Sequence, residues 1–180
     1  MLATVALSLC LASERPSSVH IRNFDKVNDH IYRGGEPTVD GLQQLSTMGV
    51  KTIIDLRESG QNTMFEKEHV EKLKLKYINI PIGEFSAPSN AQIAQLLSLL
   101  NNESGAVFVH CRRGKDRTGT VIACYRIQHD GWNNVRALEE AKEHGMSSLE
   151  RAMRAYILHF TPLNVPGLQQ PGGALAGVLK

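Results

Sequence analysis

The sequence is poor in cysteine and in aromatic residues, and its net charge is small. Only three cysteines occur in 180 residues, so no disulfide framework is predicted. The formal net charge is +2, which argues against a general nucleic-acid-binding protein. Aromatic residues make up only 6% of the chain, and no aromatic-rich insertion is present. The hydrophobic (42%) and charged (21%) fractions are those of one globular domain that buries a substantial core.

No apolar run is long enough for stable membrane insertion, since a spanning helix needs about 20 apolar residues. The run from Met1 to Ala12 comes nearest. It is similar to the hydrophobic part of a secretory signal, but no basic residue precedes it. Two interpretations therefore stay open. Residues 1–18 are either a leader, which would export the protein to the periplasm or beyond, or the disordered N-terminus of a cytoplasmic protein.

The remaining chain is expected to hold a globular domain at 19–162 and a Pro- and Gly-rich disordered tail at 163–180. Hydrophobic patterns predict strands at 19–24, 30–33, 52–56, 76–82 and 106–109. They predict helices capped by Asp40 and Ser89, and others at 64–73, from 118, at 134–144 and from 148. Strands alternate with helices up to the predicted strand at 106–109, and only helices follow that strand. This order predicts an α/β fold with a central mixed sheet flanked by helices.

The most informative stretch is the short apolar run Ala106–Val109 and the loop that follows it. Cys111 lies at the end of the predicted strand, and Thr118 opens a long apolar helix. A strand, a tight loop and a helix N-terminus direct backbone N–H groups at an anion. Such a field lowers the pKa of a thiol and favours the thiolate, and Arg117 supplies a guanidinium that matches two phosphate oxygens. The alternative is an inert core cysteine beside a solvated basic patch.

The loop His110-Cys-Arg-Arg-Gly-Lys-Asp-Arg-Thr-Gly119 resembles the signature of the cysteine-dependent tyrosine and dual-specificity phosphatases. The Lys-Asp pair inside it is similar to the atypical microbial branch. Two upstream segments, Ile31–Pro37 and Lys51–Arg57, resemble early strands of that branch. The resemblance implies the phosphotyrosine-phosphatase-like sandwich and hydrolysis of a phosphate monoester through a phosphocysteine intermediate.

Each loop residue has an expected role in that reaction. Cys111 is the nucleophile, and Thr118 donates a hydrogen bond to its sulfur. The phosphate oxygens are expected to be held by the loop residues Arg112, Arg113, Gly114, Lys115, Asp116 and Arg117. No metal and no cofactor are expected, because the cationic loop neutralises the phosphate charge.

Three further residues are expected to support the loop. His110 is interpreted as a hydrogen-bond partner of the loop backbone, with a simple buried histidine as the alternative. Arg33 and Arg57 either face the site or form structural ion pairs, with Asp55 or Glu58 as possible partners. Cys124, in the following helix, is interpreted as a core residue.

The acid that protonates the leaving oxygen is ambiguous, because no Asp occurs between Asp55 and Asp116. In the family an Asp on a separate loop has this role, and Glu84 occupies the corresponding loop. Asp116 is the favoured candidate because the loop itself holds it near the reacting atoms. Its alternative role is to bind the loop amides and shape the cradle.

The substrate follows less directly from the sequence. A shallow pocket without an aromatic insertion favours a phosphorylated protein, as in a dual-specificity or tyrosine phosphatase. The charges of Arg112, Arg113 and Lys115 favour a polyanion, such as an inositol phosphate or phosphoinositide. A non-catalytic module that binds phosphorylated ligands is a third hypothesis, and the oligomeric state is left open.

Overall fold

The computed structural model describes residues 20–164. The predicted N-terminal segment 1–18, with Cys10, and the tail beyond residue 164 lie outside the described residues. Within residues 20–164, no helix is both long enough and apolar enough to cross a bilayer.

A five-stranded mixed sheet forms the centre of the domain, as predicted. Its strands are β1 (Asp25–Lys26), β2 (Ile31–Gly34), β3 (Val50–Asp55), β4 (Lys76–Asn79) and β5 (Ala106–His110). Their order across the sheet is β1-β2-β5-β3-β4, and every pair except the antiparallel β1–β2 is parallel. Strand β5 therefore lies in the middle, with its last residue opposite Gly34 on one side and Asp55 on the other.

Six helices cover the two faces of this sheet. They are α1 (Val39–Thr47), α2 (Gln61–Lys72), α3 (Asn90–Asn102), α4 (Asp116–Gln128), α5 (Asn134–Glu143) and α6 (Arg151–His159). A large apolar core joins α3, α4, α5 and α6 to one face, and a smaller one joins α1 and α2 to the other. The arrangement is the α/β sandwich expected from the order of the predicted elements.

Helix α4, which follows the central loop, is the most deeply buried helix. Among its residues only Asp116 and Arg126 escape full burial. Cys124 is completely buried there, so its interpretation as a core residue is confirmed. A helix that is buried on all sides is held by its neighbours rather than by an amphipathic pattern.

Several predicted boundaries were wrong, for identifiable reasons. No strand forms at 20–24, where Phe24 N–H turns back to the Ile21 carbonyl, and the edge strand comes later. Thr38 caps α1, because its hydroxyl accepts from Gly41 N–H, so Asp40 lies inside the first turn. The capping box of Ser89 and Gln92 is confirmed.

Other elements begin or end a few residues from their predicted bounds. Strand β4 ends at Asn79 instead of reaching Ile82, although Ile80 and Ile82 still donate to the Asp55 and Leu56 carbonyls across the interruption by Pro81. Helix α2 begins at Gln61 rather than Met64, and α4 at Asp116 rather than Thr118. Helix α6 begins at Arg151 rather than Ser148, after a turn in which Glu150 N–H bonds to Ser147.

Candidate active site

The loop that joins β5 to α4 lies at the carboxyl edge of the three central strands. Gly114 in this loop has φ +70°, a conformation that side chains with a Cβ rarely adopt. A Cβ there would also lie 2.4 Å from the carbonyl carbon of Gly34, at the end of β2. The loop is thus pressed against the neighbouring strand, and only glycine permits so close an approach.

Cys111 lies at the start of this loop with 2% of its surface exposed. Burial by itself would raise the pKa of its thiol. Hydrogen bonds from the Thr118 side chain and backbone and from Arg113 N–H, together with the charge of Arg117, outweigh burial and lower that pKa. This geometry supports the thiolate expected at Cys111.

The contrast between Cys111 and Cys124 provides a test of this thiolate. Burial raises the pKa of Cys124, and no charge opposes it. At a pH of about 6.5, some two units below an ordinary thiol pKa, iodoacetamide should modify Cys111 and spare Cys124. Peptide mapping by mass spectrometry would show the site, and vanadate should protect it. Equal labelling of both cysteines, or none below pH 8, would contradict a lowered pKa at Cys111.

Arg117 lies on the first turn of α4 and is 8% exposed. One guanidinium nitrogen, Nη1, donates weakly to the Ile82 carbonyl at 3.4 Å. The side chain lines both the small pocket above Cys111 and a broader groove beside it. A buried guanidinium with most of its donors uncommitted is suited to bind two oxygens of a phosphoryl group.

The pocket above Cys111 has a volume of about 120 Å³. Its walls are formed by Glu84, Phe85, Cys111, Arg112, Arg113, Asp116, Arg117 and Glu150. The structure therefore brings together both predicted acids, the predicted nucleophile Cys111 and the predicted phosphate-binding Arg117. Two of the predicted phosphate ligands, Gly114 and Lys115, do not line this pocket. The side chain of Lys115 extends away from it and lies beside Gly145.

Asp116 is held in this pocket by a contact from outside the loop. Its Oδ1 atom accepts the Ser147 backbone N–H at 2.8 Å, from the segment between α5 and α6. The alternative that Asp116 binds the amides of its own loop was wrong. Glu84, by contrast, is exposed and has no fixed partner within residues 20–164.

Glu150 is a third acid in the pocket, and the sequence reasoning missed it. Burial raises the pKa of this carboxyl, and the charges of Asp116 and Glu84 raise it further. The charge of Arg117 lowers the pKa but does not outweigh these effects. The neighbours of Glu150 are more than thirty positions away in the sequence, so no local motif marks it. The only signal was its position just before an amphipathic helix.

Arg57 forms ion pairs behind the loop, which confirms one of the alternatives for this residue. Its guanidinium contacts Asp55 at 2.7 Å, Glu66 at 2.5 Å, and also Glu36. Glu58, the other expected partner, is not among these contacts. Arg57 joins the end of β3 to α2 and to the segment after β2, and it also lines the adjoining groove.

His110 does not donate to the loop backbone, so that interpretation was wrong. Its Nε2 atom lies 2.8 Å from Glu66 Oε1. Burial opposes a charged imidazole, but the carboxylates of Glu66 and Asp55 outweigh burial and raise the pKa of His110. The ligand atoms of Asp55, Glu66 and His110 lie within 4.8 Å of one another. Arg57 pairs with both carboxylates, and His110 adds a second partner for Glu66, so the group is best described as an ion-pair network.

Arg33 supports the loop through a carbonyl and not through a carboxylate. It is 1% exposed, and its Nη2 atom donates to the Gly114 carbonyl at 3.2 Å. Burial lowers its pKa to about 10. An ion pair with Asp55 or Glu58 was one alternative for Arg33. Within residues 20–164 no such ion pair forms. The charge of Arg33 lies close enough to Cys111 for the two groups to interact, which favours the thiolate.

A broader groove of about 520 Å³ opens beside the pocket and shares Glu84, Arg112 and Arg117 with it. Its remaining walls are Glu36, Arg57, Glu58 and the start of α2 from Gly60 to Thr63. The groove is therefore polar and carries both signs of charge.

Comparison with known sequences agrees with these features. A sequence profile of the family described as "DSP-PTPase phosphatase fused to NAD+ Kinase" matches residues 16–156. OCA1 of Saccharomyces cerevisiae is 33% identical over 126 residues, which cover 66% of this chain and 52% of OCA1. The dual specificity protein phosphatase TpbA of Pseudomonas aeruginosa is 27% identical over 155 residues, covering 82% of this chain and 65% of TpbA. The chain thus spans about half to two thirds of these two relatives.

Solved structures share the fold. The crystal structure of P. aeruginosa TpbA superposes with a TM-score of 0.68 at 24% identity, over 78% of this chain and 86% of TpbA. The catalytic core of the PP-IP phosphatase Siw14 from S. cerevisiae gives 0.66 at 21% identity, over 78% of this chain and 86% of that core. The matched profile, which includes the Cys111 loop, shows that the chain belongs to the DSP-PTPase family of tyrosine and dual-specificity phosphatases.

Proposed function

We propose that the protein hydrolyses phosphate monoesters through a phosphocysteine at Cys111. The observation that carries this proposal is a thiol of lowered pKa at the floor of a pocket whose wall contains Arg117. The Cys111 thiolate attacks phosphorus, the bond to the leaving oxygen breaks, and a carboxyl of the pocket protonates that oxygen. Loop N–H groups and Arg117 stabilise the equatorial oxygens in the transition state.

A phosphorylated protein is the substrate class that the pocket favours. Phe85 stands at its mouth with 76% of its surface exposed, where its ring can stack on an aryl group. Three carboxylates, Glu84, Asp116 and Glu150, offset the arginines and make the pocket unfavourable for additional phosphates. TpbA is named a dual specificity phosphatase, and one of its crystal structures contains pTyr.

An inositol phosphate is the second candidate, and the comparisons supply the reason. A relative from Arabidopsis thaliana, 28% identical over 128 residues, is named an inositol diphosphatase. Siw14 is named a PP-IP phosphatase. In this chain Arg112 lines both cavities and Arg113 lines the small pocket, so two exposed cations are available to a polyanion.

Phe85→Ala should distinguish these substrates. We expect kcat/KM for a phosphotyrosine peptide to fall about fivefold to tenfold, because an aromatic contact contributes about 1 kcal/mol. The value for inositol phosphates should not change. Phe65→Ala is a matched control, since Phe65 is an exposed phenylalanine on α2 and lines neither cavity. Purified protein is assayed for phosphate release against phosphopeptides and inositol phosphates side by side.

The outcomes of this assay separate all three hypotheses. A preference for inositol phosphates that survives Phe85→Ala would overturn the protein-substrate proposal. Binding of every ligand with no release of phosphate, even from an aryl phosphate, would instead indicate a non-catalytic phospho-ligand-binding module. The retained Cys111 and Arg117 argue against that third hypothesis.

A further inference from the structure

Glu150 is a largely buried residue whose side chain forms part of the wall of the pocket above Cys111. Only 8% of its surface is exposed. Its backbone carbonyl accepts Arg154 N–H in the first turn of α6, but its side chain makes no capping hydrogen bond. Within residues 20–164 no hydrogen bond or ion pair engages its carboxylate. An acid that lines the pocket with its oxygens free of protein partners is available to the chemistry that occurs there.

The charged groups around Glu150 come from several elements. Asp116 and Arg117 face it from α4, and Glu84 faces it from the segment between β4 and α3. The other charged or titratable groups of the pocket are Cys111, Arg112 and Arg113. The negative charges of the two carboxylates outweigh the positive charge of Arg117 and favour protonation of Glu150. Burial favours protonation as well. Glu150 is consequently a stronger base than an ordinary surface carboxylate.

We propose that Glu150 is a further catalytic residue, which accepts a proton in the second half of the reaction. The inference rests on the phosphocysteine mechanism proposed above. A water oxygen attacks phosphorus, the P–S bond breaks, and Cys111 leaves with the electron pair as a thiolate. One proton of the water passes to Glu150, and the product is inorganic phosphate.

The other two acids are less suited to this step. One oxygen of Asp116 already accepts the Ser147 N–H, which fixes its orientation. Glu84 is exposed on its loop. Within residues 20–164 the carboxylate oxygens of Glu150 are uncommitted, and the side chain lines the same pocket as Cys111. A water that enters after the leaving group departs can therefore donate to Glu150 without breaking an existing hydrogen bond.

Glu150→Gln tests this role, because the amide keeps the size of the side chain and cannot accept the proton. Rapid mixing of the full chain with p-nitrophenyl phosphate separates nitrophenol release from phosphate release. We expect the nitrophenol burst to keep its rate, and phosphate release to slow about tenfold, since Asp116 and Glu84 remain as weaker acceptors. Phosphoenzyme trapped by acid quenching should accumulate. In the wild type the release phase should accelerate as pH rises through the Glu150 ionisation, and the variant should lose this dependence.

Glu143→Gln is the matched control, because Glu143 is an exposed carboxylate at the end of α5 and should leave both phases unchanged. Unchanged phosphate release in Glu150→Gln, or equal slowing of both phases, would overturn the proposal. If the Gln variant does not fold, Glu150→Asp carries the test. It keeps an acceptor with shorter reach, so slowed release supports the role and unchanged release refutes it. A wild type that forms no phosphoenzyme would refute the proposed function itself.

Discussion

Replacing Cys111 by serine should lower turnover by at least about four orders of magnitude, the scale seen when a catalytic nucleophile is removed. The field that lowers the pKa of the thiol cannot ionise an alcohol, so the variant lacks the attacking anion. The loop N–H groups and Arg117 remain in place. Binding of vanadate or of a phosphopeptide should therefore persist, and calorimetry on the inactive variant would measure it.

Cys124→Ala is the control for this experiment, since that residue is a completely buried core thiol. It should lower thermal stability and leave kcat/KM unchanged at a temperature where the variant is folded. Hydrolysis retained by Cys111→Ser would show that another group attacks phosphorus. Loss of vanadate binding together with activity would show instead that the thiolate itself shapes the anion site.

Replacing Asp116 by asparagine should lower kcat for a phosphotyrosine peptide by on the order of a hundredfold. The side chain lines the pocket above Cys111, and its contact with Ser147 N–H fixes its orientation. Asparagine can keep that contact through its carbonyl oxygen but cannot donate the proton required by the leaving oxygen.

A leaving group that needs no proton provides the internal comparison. For an aryl phosphate with a very acidic phenol, the effect of Asp116→Asn should shrink to a few fold. Glu84→Gln is the competing variant, because Glu84 lies in the same pocket on a more exposed segment. A large, leaving-group-dependent loss in Glu84→Gln, with little loss in Asp116→Asn, would transfer the role of general acid to Glu84.

The reaction pocket was predictable from the sequence wherever its residues are close along the chain. Cys111, Arg117 and Thr118 belong to one strand–loop–helix unit, and the physical requirements of anion binding identify them together. The order of strands and helices was sufficient to predict the α/β class. Cys124 and the Ser89 capping box followed from local chemistry in the same way.

Residues that act through tertiary contacts were not predictable in this way. Glu66 is on a largely exposed helix, yet it lies 2.8 Å from His110 across more than forty residues of sequence. Glu150 reaches the pocket only because α5 and α6 fold back over α4. The loop motif predicts that Lys115 is a phosphate ligand, but the side chain of Lys115 lies beside Gly145. A single sequence contains no direct signal of such contacts.

The central position of β5 has a consequence for how the domain is synthesised. Strands β2 and β3 both pair with β5, which follows them by at least fifty residues and fills the gap between them. A nascent chain that ends at α3 therefore has no continuous sheet, because β2 and β3 are not yet joined. Gly34, against which Gly114 of the loop packs, lacks that contact at this stage. Long-range pairing of this kind is slow to form, because the closure entropy precedes the stabilising contacts. Completion of the sheet and formation of the anion-binding loop therefore both require β5 to be in place.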